Sequence, residues 1–487
     1  MNQISKNELW IIVDDLLVQK EIKSVLNQQN LPYNNIININ SNDDSVEVNY
    51  EKLADDLNRL KHQDKNFIIF LKPPVAVINN DGNTLEALSE ANLTMMQNWI
   101  TRFNQIHKIL LKHTHNCKSK IICLTSPLTS NNLFNELVIN YAFNYYQGVS
   151  LELKPYSTSL SLIYRDANQP WVTIAEQINK VLSEPTPKCF YTNLNKSKIK
   201  KLITKNKTIA KNELLVWDKK RKEKKVAIVT GASGGLGLEI AKFLIDNNWK
   251  VYSFSRSKQN KFGITFIQCD LSNVEDIRMK TNWLLEKEEA IHLLVNNSGY
   301  GLGASMENVG DNEFADMYAL NVLGSMRMIR RLAPAIAKAE GFIFNIGSVA
   351  GIFPIPFQVG YSLTKVMIDC YTDMLVNYLN KKNIRICNVM PGDTKTQFAA
   401  HRKISDNELN QRYYQRIKAS IAKMEKDERH GHNPSVVVKS IYKRIHKPFL
   451  PVRYTVGKYK IMYSLYRILG YQLTNEILYN LYAKKDI

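Results

Sequence analysis

Short apolar runs alternate with amphipathic stretches along most of the chain. In the first half Trp10-Ile11-Ile12-Val13 reads as a strand, followed by a helical stretch to about Gln29. Phe67-Ile68-Ile69-Phe70-Leu71 is the next strand. A helix from about Asn92 to Lys112 precedes a strand from Lys120 to Leu124. A helix from about Asn132 to Gln147 precedes Leu160-Ser161-Leu162-Ile163-Tyr164, and a last helix runs from about Val172 to Leu182. Strand and helix in regular exchange predict a parallel sheet with covering helices. In the second half Lys225 opens the run KVAIVTGASGGLGLEIAKFLIDNNWKVYSFSRS: strand, glycine turn, amphipathic helix, strand. That is a βαβ nucleotide-binding unit.

Length and composition then divide the chain. With 487 residues it is too long for one compact domain. The expected division is an α/β domain over 1–183, a Lys-rich linker over 184–223, and a second domain with its tail over 224–487. Of the 20 glycines only Gly82 and Gly148 precede residue 231, so the first half cannot wrap closely round a phosphate. Half of the formal charge of +20 sits in residues 184–225, where thirteen Lys and one Arg face four acids. Aromatics able to stack bases stand only at its margins (Phe190, Tyr191, Trp217), which argues for a solvated linker or a patch for an acidic partner, and against nucleic acid. The six cysteines are spread singly, as reduced, buried thiols would be. His113-Thr114-His115-Asn116-Cys117 has no second ligand cluster nearby, so no metal site is expected. No signal-like start and no long apolar span is visible, so a cytoplasmic location is expected.

The chemistry is in the second half. Gly231, Gly235 and Gly237 let the chain turn tightly off a strand and bring a helix N-terminus, with its free N–H groups, against a pyrophosphate. Tyr361 and Lys365 stand four residues apart, hence on one face of a helix. A cation beside a phenol favours phenolate. Moving a tyrosine from near 10 toward neutrality takes about 4 kcal/mol, which one ammonium at about 4 Å supplies at an effective dielectric near 20. A lowered Tyr361 pKa and a general acid/base at that residue are therefore expected.

The residues resemble the short-chain dehydrogenase/reductases. Thr230-Gly231-Ala232-Ser233-Gly234-Gly235-Leu236-Gly237 matches the family's TGxxxGxG, and Asp270-Leu271 its adenine-site acidic pair. Asn296-Asn297-Ser298-Gly299 matches NNAG, and Asn321 in LNVLG the helix asparagine. Ser348 in NIGSVAG, Tyr361 and Lys365 in YSLTK, and Pro391-Gly392 through Thr394 to Thr396 in PGDTKT complete the series. Each residue alone has a structural reading, but seven pieces in order over 224 to about 400 do not arise by chance. The resemblance implies a Rossmann-type doubly wound parallel sheet. It also implies that Ser348 hydrogen-bonds the substrate carbonyl, that Lys365 holds the nicotinamide ribose, that Asn321 anchors a proton-relaying water, and that Thr230, Ser233, Leu236 and the glycines cradle the cofactor.

An acid after the second strand would hold a ribose 2′-hydroxyl and repel a 2′-phosphate. From Asn247 to Cys269 there is none, whereas Ser255-Arg256, Lys258 and Lys261 follow the strand, so NADP(H) is expected over NAD(H). The ending SLELKPYSTSLSLIYRD resembles LVNYLNKKNIRICNVMPGD of the second half, making the first a second, degenerate Rossmann-like α/β domain. Matching those endings places Phe134 and Val138 opposite Tyr361 and Lys365, and Ser126 opposite Ser348 after a gap. The architecture is similar to that of polyketide ketoreductases and high-molecular-weight β-ketoacyl carrier protein reductases. Gln397 to Lys447 reads as helical and charged, and the resemblance implies that it is a lid closing over the substrate of a catalytic domain, the 1–183 domain being non-catalytic; Pro451 to Tyr482 resembles tails of relatives acting on long-chain lipids: a substrate entrance, a membrane-interface contact, or an amphipathic helix covering the core.

The expected activity is NADPH-dependent reduction of a carbonyl, or oxidation of the alcohol, on a hydrophobic or acyl-chain substrate. A β-ketoacyl thioester on an acidic carrier protein, and a non-catalytic NADP(H) sensor, are the alternatives. Homo-oligomers occur among such relatives.

Overall fold

The computed structural model describes residues 8–13, 20, 22–24, 26–27, 35–38, 53, 65–71, 89–114, 119–125, 135–153, 158–165, 171–183, 190–192, 209–211, 224–257, 262–396, 398, 402–408, 412–447, 449–457 and 476–483. Two parallel sheets carry these residues, each in its own compact unit.

The first sheet contains β1 (Glu8–Val13), β2 (Asn35–Asn38), β3 (Lys65–Phe70), β4 (Lys120–Thr125), β5 (Ser159–Tyr164) and β6 (Phe190–Thr192), in the order β2-β1-β3-β4-β5-β6 with every pairing parallel. Helices α1 (Glu90–Thr114), α2 (Asn135–Leu153) and α3 (Trp171–Ser183) lie where the apolar spacing predicts them. Two strands were not expected. β2 is short and flanked by asparagines, and β6 lies within the Lys-rich segment read as a linker. The helix predicted to about Gln29 is described at residues 20, 22–24 and 26–27, with Ile22 and Leu26 buried in one cluster with Ile11 and Ile68. α2 extends past Gln147 to Leu153 because residues 137–153 are buried all round, which leaves no polar face to mark its end.

Aromatic side chains fill the space between α1 and α2. Phe103 stacks on His107 at 4.1 Å between ring centroids, and His107 Nε2 is 2.5 Å from the Tyr146 hydroxyl. Burial pushes the His107 imidazole down to about 4, against which the Phe103 carbonyl contact acts more weakly. Because the folded value lies below the unfolded one, His107 contributes stability that is fully present above about pH 6.5 and is lost as pH falls toward 4. We expect the first unit to lose about 3 kcal/mol across that window through this residue. Urea titrations at pH 7.5 and 4.5 check it: His107→Gln should flatten the pH slope, and an unchanged slope would assign the acid sensitivity elsewhere.

The second sheet is built from β8 (Val226–Thr230), β9 (Lys250–Ser255), β10 (Thr265–Gln268), β11 (Leu293–Asn296), β13 (Phe342–Ile346), β14 (Arg385–Pro391) and β17 (Arg453–Val456). The order is β10-β9-β8-β11-β13-β14-β17, again parallel throughout. β8, β11, β13 and β14 are buried along their whole length, which is why they are mostly apolar, with Asn345 and Asn388 as buried polar residues inside β13 and β14. Between and beyond them run α4 (Gly235–Asp246), α5 (Val274–Leu285), α6 (Asp311–Tyr318), α7 (Ser325–Lys338), α8 (Val359–Lys381), α9 (Tyr414–Arg429) and α10 (Pro434–Arg444). In α4 the buried residues Gly237, Ile240, Ala241 and Leu244 recur at helical spacing and face the sheet. The strand order reverses between β8 and β11, so the carboxyl ends of these strands frame the crevice typical of ligand sites in such sheets.

Smaller pairings complete this unit. β12 (Leu302–Gly303) pairs with β15 (Lys403–Ile404), and β7 (Ile209–Lys211), also from the Lys-rich segment, pairs antiparallel with β16 (Phe449–Pro451). The tail departs from the helical reading at its start, where β17 extends the sheet beside β14 through Val389 and Tyr454. Residues 476–482 are helical, and 458–475 lie outside the described residues. No helix among the described residues is long and apolar enough to cross a membrane.

α2 precedes β5 as α8 precedes β14, which agrees with the matched endings. Val138, opposite Lys365, is a buried apolar side chain, while Phe134 and Ser126 lie outside the described residues. Cys123, Cys269, Cys370 and Cys387 are free and buried, and Cys117 and Cys189 lie outside the described residues.

Candidate active site

The turn after β8 is locked to its neighbours by local bonds. Thr230 Oγ1 accepts from the backbone amides of Asn297 (2.8 Å) and Ser298 (3.0 Å), and Asn297 Nδ2 donates to the Thr230 carbonyl. The Ala232 amide donates to Ser253 Oγ, tying the turn to β9. Gly231 takes φ +69° and a Cβ on it would stand 2.9 Å from Ser298 Oγ. Gly237 admits no side chain either, since its Cβ would lie 2.5 Å from the Gly231 carbonyl oxygen and 2.5 Å from Asn297 Nδ2. α4 begins at Gly235 with no side-chain cap and no acid in its first turn, so its N–H groups are left for an anion. Ser233 and Leu236 are half-buried in the same turn, and Thr396 reaches it, with its Cβ 3.9 Å from where a Gly235 Cβ would stand. A glycine cradle of this shape fits a dinucleotide pyrophosphate.

The other expected cofactor contacts spread along the crevice. Ser255, at the end of β9, is buried and donates to the Ser257 carbonyl, and Arg256 beside it is exposed. Lys258 and Lys261 lie outside the described residues. Asp270 accepts from the Ser272 amide and hydroxyl, and Leu271 packs against Gly324 so closely that a Cβ there would meet the Leu271 carbonyl oxygen at 2.5 Å. Pro391 ends β14, Thr394 Oγ1 donates to the Gly392 carbonyl, and Thr396 Oγ1 accepts from the Phe398 amide.

Asn321 sits in a π-helical turn, Ala319–Gly324, between α6 and α7. Such turns are rare and occur mostly where function demands a displaced backbone. Its side chain is fully engaged: Oδ1 accepts from the Tyr300 amide, and Nδ2 donates to the Tyr300 carbonyl and to Thr364 Oγ1. That bonding fixes the Gly299–Tyr300 turn against α8, at the residue before Lys365.

Ser348, Tyr361 and Lys365 converge at the end of β13. Ser348 caps a one-turn helix, Val349–Gly351, by accepting from the Ala350 amide. A Cβ on Gly351 would stand 3.0 Å from the Lys365 carbonyl carbon, so this turn lies directly on the α8 backbone. The Ser348 hydroxyl stands close enough to the Tyr361 phenol to favour its ionised form. Lys365 Nζ lies 5.5 Å from the Tyr361 ring centre and donates to the Ile346 carbonyl at 2.8 Å.

The electrostatics differ from expectation. Burial pushes the Tyr361 phenol up to about 12, with Ser348 and Arg402 acting in the opposite direction and Glu428 adding to the rise. Lys365 is itself lowered to about 8 by burial. The lowered Tyr361 pKa read from the sequence is therefore corrected: excluding water from the phenolate outweighs a lysine whose ammonium is bound to a backbone carbonyl.

Two further charged residues belong to this neighbourhood and carried no sequence signal. Arg402 and Glu428 form a largely buried ion pair, Nη2 to Oε1, at 2.5 Å, with side chains 3% and 15% exposed. Phe398 stands between this pair and the tyrosine, with its ring 5.7 Å from that of Tyr361 and 5.7 Å from the Arg402 guanidinium. In a charged, helical stretch both residues read as solvated.

Residues 225–407 match the family model for short chain dehydrogenases. The chain is 30% identical over 235 residues to a 3-ketodihydrosphingosine reductase of Bacteroides thetaiotaomicron, covering 48% of this chain and 87% of that protein. It is 31% identical over 197 residues to an NADPH-dependent 1-acyldihydroxyacetone phosphate reductase of Saccharomyces cerevisiae, covering 38% and 66%. A crystal structure of an N-terminal ketoreductase from a macrolactin assembly line matches with a TM-score of 0.57 at 14% identity, covering 82% of this chain and 81% of that one. At that identity it shows the fold alone.

Proposed function

This chain belongs to the short-chain dehydrogenase/reductase family and is an NAD(P)-dependent oxidoreductase, and from that premise we propose that it reduces the ketone of a hydrophobic or acyl-chain substrate with NADPH, or oxidises the corresponding alcohol. The observation that carries the reading is the convergence of Tyr361, Lys365, whose Nζ lies 5.5 Å from the tyrosine ring centre, and Ser348 at the end of β13, beside the glycine cradle. Bound in that cradle, the dinucleotide supplies hydride from nicotinamide C4.

This chain's own residues do the rest. Ser348 donates to the substrate carbonyl oxygen and Tyr361 gives that oxygen a proton. A phenol kept protonated far above neutrality holds the proton needed for reduction, and the developing alkoxide is basic enough to take it. Lys365 donates to the nicotinamide ribose, Asn321 fixes the loop beside it, and Thr230, Ser233, Leu236, Asn297, Ser298 and Gly299 line the cofactor's path. Asp270 and Leu271 lie on the adenine side. Two similar proteins are named as reductases of 3-ketodihydrosphingosine and of 1-acyldihydroxyacetone phosphate, which supports a lipid ketone. A β-ketoacyl thioester on an acidic carrier is a second reading, favoured by the Lys-rich segment. A cytoplasmic location and domain limits of 1–183, 184–223 and 224–487 belong to the same proposal.

The preference for NADPH rests on Ser255 and Arg256 and on the absence of an acid after β9. Arg256→Ala is expected to raise the KM for NADPH by about 10-fold through loss of a charge-assisted contact, with the KM for NADH changed little. Steady-state rates with both cofactors measure this, and equal effects on the two would remove Arg256 from the 2′-phosphate site.

A further inference from the structure

Within residues 203–487 the chain leaves the second compact unit once. Residues Ser305–Asp311 belong to the first unit, while Ala304 before them and Asn312 after them belong to the second. Helices α1 and α2 hold this segment, largely by its backbone. Lys108 Nζ donates to the Val309 carbonyl at 2.8 Å and pairs with Asp311 Oδ1 at 3.1 Å, and the Met306 amide donates to Oε2 of the buried Glu152 at 3.2 Å. The Lys108 side chain is 16% exposed and that of Asp311 53%, so the part-buried carbonyl contact contributes more to the hold than the ion pair does.

Both ends of the segment lead to the backbone just before Tyr361. On the near side the Ala304 amide donates to the Phe357 carbonyl at 2.9 Å. On the far side Asp311 opens α6, whose buried Phe314 and Met317 press on Gly360: a Cβ there would stand 3.2 Å from Phe314 Cδ2 and 3.1 Å from Met317 Cε. α6 also carries Glu313, whose carboxylate accepts from the Ser405 hydroxyl and the Asp406 amide, and it runs on into the turn that holds Asn321. A displacement of about 1 Å in a reacting group is enough to cost about 100-fold in rate. Resting on the reductase reading above, we propose that Lys108 and Glu152 are positioning residues for ketone reduction: by holding Ser305–Asp311 they fix α6 against Gly360, and so set the place of the Tyr361 hydroxyl. The first unit thereby acts on the chemical step through α6.

The test uses the full chain with NADPH and a long-chain alkan-3-one. Lys108→Met and Glu152→Ala are each expected to lower kcat by about 10-fold while the dissociation constant for NADPH stays within about 2-fold of wild type, because the glycine cradle is built on β8 and α4. Lys108→Arg keeps a donor for the Val309 carbonyl and Glu152→Gln an acceptor for the Met306 amide, so both should hold kcat within about 3-fold of wild type. His107→Gln is the control: it alters the buried contact with Tyr146 but neither hold on the segment, and should change kcat by less than about 2-fold. Amide hydrogen exchange gives a readout free of turnover, and residues 312–318 and 359–365 should exchange about 10-fold faster in Lys108→Met and Glu152→Ala. Glu152 is buried, so Lys108→Met carries the test where Glu152→Ala does not fold. An equal fall of kcat in His107→Gln, or in Lys108→Arg and Glu152→Gln, would assign the effect to the stability of the first unit and overturn the proposal. Wild-type kcat in Lys108→Met and Glu152→Ala overturns it too, yet leaves the reductase reading intact. If no ketone is turned over, faster exchange at 312–318 and 359–365 in the variants supports the hold on α6 and counts against the reductase, and unchanged exchange removes both.

Discussion

Tyr361→Phe is expected to lower the rate of NADPH-dependent ketone reduction by about 1,000-fold, within the range that general acid catalysis contributes. The hydroxyl removed is the one whose ionisation Ser348 eases and whose proton burial retains. Only that oxygen is lost, and the ring keeps its contact with Phe398, so NADPH affinity and melting temperature should hardly move. Fluorescence titration of NADPH alongside absorbance at 340 nm separates the two effects. Turnover that survives the substitution would place the proton donor elsewhere. Tight NADPH binding with no turnover in either protein would favour a sensor. The reverse reaction adds a check, because alcohol oxidation needs the phenolate and should rise with pH where reduction does not.

Gly237→Ala should abolish tight cofactor binding. Its Cβ would press 2.5 Å from both the Gly231 carbonyl oxygen and Asn297 Nδ2, and the first of these is backbone in a turn already fixed at φ +69°. Relief requires the turn to open and α4 to withdraw from β8. We expect the dissociation constant for NADPH to rise about 100-fold and the melting temperature to fall by about 5 °C, the latter corresponding to 2 kcal/mol of overpacking. Gly263→Ala is the control. Gly263 also takes a positive φ, +73°, but meets only Ile245 at ordinary distance, so it should lose stability without altering NADPH affinity. Equal loss of affinity in both variants would argue that the effect is global rather than local to the cradle.

Most of the fold and the glycine turn after β8 was legible in the residues. The fully buried strand β8 announces itself as an apolar run, and α4 repeats its buried face at helical spacing. β2, β6, β7 and β17 were not legible. They are short or flanked by polar residues, and pairing with a neighbour rather than their own composition makes them strands. α2 was cut short for the opposite reason, since a helix buried on every side has no period to read.

The sequence by itself determined what depends on local spacing: a glycine turn between strand and helix, and a tyrosine and a lysine one helical turn apart. Backbone geometry converts such spacing directly into position. Tertiary structure alone decided what depends on distant groups and on water. It joined Arg402 to Glu428, bound the Asn321 amide to Tyr300 and Thr364, and turned the Lys365 ammonium onto the Ile346 carbonyl. It also set the direction in which Tyr361 titrates, because the energy of a buried charge follows from how completely the whole fold excludes solvent around it.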